Sequence, residues 1–158
     1  MMHSERKYSF LKAKEKIEAW CAYQDRCHYD VNLKLISFGL DEEDRSRLIS
    51  HLISYDFLNE QRFADAFVSG KVRIKKWGRV KIKQHLKAKQ VPDRCVSEAM
   101  KNVDMDEYLN NLKSLAQKKS ALIKDTGYLK KQKIAQFLYG KGYESDLIQD
   151  VLKEILND

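Results

Sequence analysis

Apolar positions along this chain repeat in three registers, 51 and then 52 residues apart. Val31 and Leu35 match Ile82 and Leu86, and these match Ile134 and Leu138. Four residues past each pair stands a dipeptide: Gly39-Leu40, Gln90-Val91 and Gly142-Tyr143. Beyond it come Leu48, Ile49 and Leu52, then Ala99, Met100 and Val103, then Val151, Leu152 and Ile155. The positions after each dipeptide take the i+3, i+4 and i+7 places of one helical face. The pair before it is spaced i,i+4, also on one helical face. Each repeat therefore reads as two short helices joined by a tight turn. Gly39 and Gly142 suit a left-handed residue at a helix end. The middle repeat has Gln90 there, with Pro92 suited to the first turn of the next helix.

A longer helix precedes each pair, marked by Ile17 and Trp20, by Phe63, Ala64, Phe67 and Val68, and by Leu109, Leu112, Leu115 and Ala116. Asn59 reads as an N-cap with Leu58 and Phe63 as a hydrophobic staple, and Asp104 to Glu107 has capping-box spacing with Val103 and Tyr108 as its staple. The prediction is nine helices in three repeats, bounded at 1–56, 57–105 and 106–158. Repeats of this size bury little core alone, so neighbours are expected to pack on one another. The fold class is all-α: three tandem three-helix repeats packed as an elongated, curved array. One stretch competes with this reading. From Lys71 to Lys83 apolar and basic residues alternate about Trp77-Gly78, which locally favours a β-hairpin. Register with the flanking repeats favours helix–turn–helix, and that reading is adopted.

Composition narrows the class. The chain has 158 residues, 43% hydrophobic and 34% charged, with one proline and six glycines. That is too apolar for a disordered tail and too poor in breakers for an all-β barrel. No apolar run reaches the ~18 residues of a membrane span, and Met1 to Lys7 lacks the apolar core of a secretory signal. Three cysteines argue against a disulfide framework. A cytoplasmic location, no membrane association and a monomeric state are expected.

Charge is distributed unevenly. The net +7 comes from 30 basic and 23 acidic residues, and residues 57–105 alone hold 12 basic against 5 acidic. Between Asp65 and Asp93 there is no acid. Lys71, Arg73, Lys75, Lys76, Arg79, Lys81, Lys83, Lys87 and Lys89 fill that stretch. Solvated helix faces usually mix signs, because like charges at i,i+4 repel. Nine uncompensated cations on one exposed side imply an anionic partner, either nucleic acid or an acidic protein surface. Trp77 lies among them and has two readings: a ring that stacks on a base or a partner side chain, or one tucked into a groove between repeats. A weaker cluster comprises Lys118, Lys119, Lys124, Lys130, Lys131 and Lys133.

Catalytic chemistry is not expected. There is no Gly-rich phosphate loop, no Gly-x-Ser-x-Gly and no His-Glu-x-x-His. Cys21, Cys27 and His28 lack the paired spacing of a zinc site, so no metal or cofactor is expected. Asp41-Glu42-Glu43-Asp44 reads as an acidic helix N-terminus rather than a metal cluster.

The segment Leu58-Asn59-Glu60-Gln61-Arg62-Phe63-Ala64-Asp65-Ala66-Phe67-Val68, followed by Trp77-Gly78-Arg79 and then Ile82 and Leu86, resembles the core signature of the RecX recombination regulators. Asn59-Glu60 stands where that family usually has two acids, and Gln90 where it usually has glycine. The resemblance extends over nearly the whole chain and is sharpest across residues 57–100. It implies a bacterial protein without enzymatic activity that binds the RecA recombinase filament on single-stranded DNA. Such proteins restrain filament growth, ATP hydrolysis and strand exchange, with direct single-stranded DNA binding expected to be weaker. The alternative is a stand-alone nucleic-acid-binding helical module without a recombinase partner.

Overall fold

The computed structural model describes residues 5–156; Met1 to Ser4, part of the stretch read against a secretory signal, lie outside the described residues. Among the described residues the chain forms nine helices and no strand. The first repeat holds α1 (Phe10–Tyr23), α2 (His28–Ser37) and α3 (Glu42–Ser54). The second holds α4 (Glu60–Arg73), α5 (Arg79–Ala88) and α6 (Asp93–Lys101). The third holds α7 (Met105–Leu122), α8 (Gly127–Lys141) and α9 (Ser145–Leu156). The all-α repeat array is therefore the observed architecture. Where the sequence alternates around Trp77, α4 ends and α5 begins. The alternating apolar residues do not share a buried face: Val72 and Ile82 are buried, whereas Ile74 is 78% exposed.

The chain divides into two compact units. One comprises the chain up to Ala66 together with Lys87–Glu98, and its core includes Ile17, Val31, Leu35, Leu48, Leu52 and Leu58. The other comprises Phe67–Leu86 with the chain from Ala99 onward, and buries Tyr108, Leu112, Ile134, Leu138, Ile148 and Leu152. The helices α4, α5 and α6 each contribute residues to both units. The six residues of the i,i+4 pairs are all fully buried.

Helix ends follow the local chemistry. The Asn59 side chain accepts from the Arg62 N–H (2.9 Å), and Leu58 and Phe63 are both buried. Asp41 caps α3 through the Asp44 N–H, and Asp104 caps α7 through the N–H groups of Asp106 and Glu107. Cys27 caps α2, its Sγ accepting from the Asp30 N–H. Burial pushes the Cys27 thiol up to about 12 and the Cys21 thiol up to about 11, so neither is a thiolate near neutral pH. Two details differ from expectation. Pro92 precedes α6, its carbonyl accepting from the Val96 N–H, so it stands at the cap rather than within the first turn. Leu109 is 41% exposed, and the core position belongs to its neighbour Tyr108. Tyr108 occupies the staple site, and the next residue lies about 100° around the helix from it.

Gly39, Gln90 and Gly142 all adopt left-handed backbone, with φ of 79°, 57° and 97°. The turn geometry is thus kept where the middle repeat lost its glycine. A Cβ in this region is strained, so Gln90→Gly is expected to raise unfolding free energy by ~0.5–1 kcal/mol, after the greater freedom of glycine in the unfolded chain is set against the relief. Urea denaturation of the two proteins measures it.

Candidate nucleic-acid interface

The site is built on the turn at residues 74–78, between α4 and α5. The Trp77 N–H donates to the Lys71 carbonyl (2.9 Å), folding the chain back on the end of α4. Lys76 takes a left-handed conformation, φ 58°, which a lysine adopts only when its surroundings enforce it. Those surroundings belong to the third repeat. The Tyr143 hydroxyl donates to the Lys76 carbonyl (2.7 Å). The Gly78 N–H donates to the Lys141 carbonyl (2.7 Å), and the Val80 N–H to the Gly142 carbonyl (2.9 Å). Two backbones meet here directly, and glycine at both 78 and 142 is what permits the approach. The Asn111 amide donates to the Val72 carbonyl (2.9 Å), satisfying the end of α4.

Next to the turn lies a polar triad. Arg79 Nε donates to Glu144 Oε2 (2.6 Å), the Arg79 backbone N–H donates to the Tyr108 hydroxyl oxygen (2.8 Å), and that hydroxyl donates to Glu144 Oε1. Burial, joined by the Glu144 carboxylate, holds Tyr108 protonated well past the ordinary tyrosine range. Arg79 is thus an anchor, fixing the start of α5 to the loop before α9.

Around this framework stand the cations. Lys71 and Lys81 place their Nζ atoms 4.6 and 4.4 Å from the Trp77 ring centroid, and the His85 ring lies 4.6 Å from the same ring. Trp77 is half-buried, Lys75 is exposed and Lys76 half-buried. Lys71, Lys75, Lys76, Trp77 and Lys81 are therefore brought together by one turn and the two helix ends beside it. Such a cluster can hold phosphate or carboxylate oxygens, with the indole supplying an apolar face already flanked by ammonium groups.

The expectation of nine uncompensated cations on one side needs correction. Arg79 is paired with Glu144, Lys89 with Asp30 (2.7 Å), and Arg73 lies 3.7 Å from Glu107. Lys87 and Lys89 fall in the other compact unit. On α5, Lys81 and Lys83 are two residues apart and so point about 200° apart around the axis. Lys81 faces Trp77, while Lys83 shares the other flank with Lys87, and both of these are exposed. An acid-free stretch of sequence is compensated in space by acids from other segments, and a helix spreads adjacent cations around its circumference.

The sequence singled out Tyr108 only as a staple and Tyr143 only as part of a turn dipeptide, and Asn111 and Glu144 not at all; their part in positioning the turn comes from the fold. One signal for Glu144 was present. It aligns with Asp41, which caps its own helix, and glutamate is a weaker cap than aspartate. Its carboxylate turns to Arg79 instead.

Among the described residues no group of three metal-ligating side chains comes together, and no helix is long and apolar enough to cross a membrane. Comparison with known proteins accounts for the second and third repeats. The second and third three-helix domains of RecX match residues 59–100 and 106–152. The regulatory protein RecX of Clostridioides difficile (strain 630) is 33% identical over 149 residues, covering 94% of this chain and 70% of that protein. The regulatory protein RecX of Clostridium acetobutylicum is 30% identical over 155 residues, covering 95% and 72%. The crystal structure of RecX from Lactobacillus salivarius superposes with a TM-score of 0.82 at 26% identity, over 94% of this chain and 96% of that one. With its three-helix repeats, the turn at Trp77-Gly78-Arg79 and these matches across most of its length, the chain belongs to the RecX family of regulatory proteins.

Proposed function

We propose that this protein binds the RecA recombinase filament on single-stranded DNA and restrains its growth, ATP hydrolysis and strand exchange, as a non-enzymatic regulator. The observation that carries this reading is a turn bearing Lys75, Lys76 and Trp77, with Lys71 and Lys81 over the indole ring, tied to the third repeat by hydrogen bonds. Among the described residues none of these four lysines has a carboxylate partner. Unneutralised cations on a fixed frame suit a surface that offers phosphate and protein carboxylates side by side.

The test is titration of the protein into a recombinase ATPase assay stimulated by single-stranded DNA. Inhibition is expected. Lys75→Glu, Lys76→Glu and Lys81→Glu together are expected to raise the half-inhibiting concentration at least about tenfold, since each charge-assisted contact contributes ~1.5–3 kcal/mol. Helical circular dichroism should not change, because none of the three side chains caps or fills the core. Arg79 is left intact, since its loss would disturb the fold. Unaltered ATPase together with tight, salt-dependent binding of oligo(dT) would favour a stand-alone nucleic-acid module instead.

A further inference from the structure

Two helices of the third repeat outrun their counterparts. α1 and α4 each have 14 residues, whereas α7 has 18. α2 and α5 each have 10, whereas α8 has 15. The equivalence of caps Asn59 and Asp104 puts the extra turn of α7 at its C-terminus, residues 119–122. The equivalence of Ile82 and Ile134 puts the extra turn of α8 at its N-terminus, residues 127–130. Both additions flank the loop 123–126 and together form a tip that the other repeats lack.

The tip is apolar and cationic at once. Leu122 is 77% exposed, Tyr128 78% and Leu129 49%. Lys118 and Lys124 are exposed beside them, and among the described residues neither shows a carboxylate partner. Lys130 borders two clefts. One, of about 450 Å³, runs between Ser120 and Ala121 on α7 and Ile155 on α9. The other, of about 360 Å³, is lined by Tyr128 and Leu156. A phosphate backbone uses lysines but gains nothing from two leucines. Burying Leu122 and Leu129 requires an apolar counterpart, and the lysines around them require an acidic one.

We propose that this tip docks an acidic, amphipathic protein segment. Under the function proposed above, on which this part rests, the recombinase subunit carries that segment. The tip then grips protein while the turn at 74–78 meets phosphate and carboxylate oxygens. Its leucines enter the apolar side of the segment, and Lys118, Lys124 and Lys130 meet its carboxylates.

Photo-crosslinking decides between occupants. With Tyr128→p-benzoylphenylalanine in the full chain and recombinase assembled on oligo(dT), irradiation is expected to yield an adduct with recombinase. An adduct with DNA alone would assign the tip to nucleic acid and overturn the proposal. So would absence of any adduct while ATPase is still inhibited. If ATPase is not inhibited but the recombinase adduct forms, docking stands and the inhibitory reading falls. A second arm uses Leu122→Ser with Leu129→Ser, both solvent-facing, so the fold is kept. The half-inhibiting concentration is expected to rise about tenfold, equivalent to ~1.4 kcal/mol, with oligo(dT) binding unchanged. Equal inhibition by this variant would overturn the docking role.

Discussion

Gly78→Ala is expected to cost ~3 kcal/mol or more, the upper end of overpacking penalties. A methyl group on Gly78 would overlap the carbonyl carbon and oxygen of Gly142 and the nitrogen of Tyr143. Those atoms are backbone, held by hydrogen bonds from Gly78 to Lys141 and from Val80 to Gly142, so no side chain can swing aside to make room. Relief requires the two turns to separate, which breaks both bonds and withdraws Tyr143 from the Lys76 carbonyl. Gly70→Ala supplies the contrast. Nothing lies within 4 Å of its added Cβ, and it sits inside α4, where alanine is favoured by ~0.5–1 kcal/mol. Urea midpoints should therefore fall sharply for the first substitution and rise slightly for the second. A Gly78→Ala protein with unaltered midpoint would mean that the two turns do not meet as described.

Arg79→Glu is the second large effect, with an expected loss of ~3 kcal/mol. The Arg79 and Glu144 side chains are only 28% and 23% exposed, so the figure belongs at the low end of the range for breaking buried pairs. The substitution leaves the Tyr108 hydroxyl facing two carboxylates and sets like charges against each other. Repulsion of this kind raises carboxylate pKa values, and protonation removes it. The deficit relative to the native protein should therefore shrink as pH falls below about 5. Thermal unfolding at pH 7 and at pH 4.5 measures both parts. If Arg79→Glu were as stable as the native protein yet failed to inhibit recombinase, Arg79 would be a contact residue rather than an anchor.

The repeat pattern was readable because core burial is local and periodic. Val31, Leu35, Ile82, Leu86, Ile134 and Leu138 are each fully buried, as their spacing requires. Gln90 held the turn conformation of the glycines at its equivalent positions, so register outweighed residue type there. The cationic cluster was only partly readable. Arg79 meets Glu144 at a separation of 65 residues and Lys89 meets Asp30 at 59, and local charge density carries no trace of such pairings. The acid-free stretch suggested one cationic side, whereas 3.6 residues per turn puts Lys81 and Lys83 on different flanks of α5. Trp77 was found as a distinctive residue, but the ammonium groups of Lys71 and Lys81 over its ring arise from the folding of two helix ends toward each other.

The segment before α1 has a further effect. The Lys7 N–H donates to the Phe38 carbonyl, as the Gly78 N–H does to Lys141, and Glu5 and Arg6 pack closely on Gly39. Residues 5–7 therefore cover the turn of the first repeat as residues 78–80 cover the turn of the third, and in both places backbone rather than side chain closes the turn.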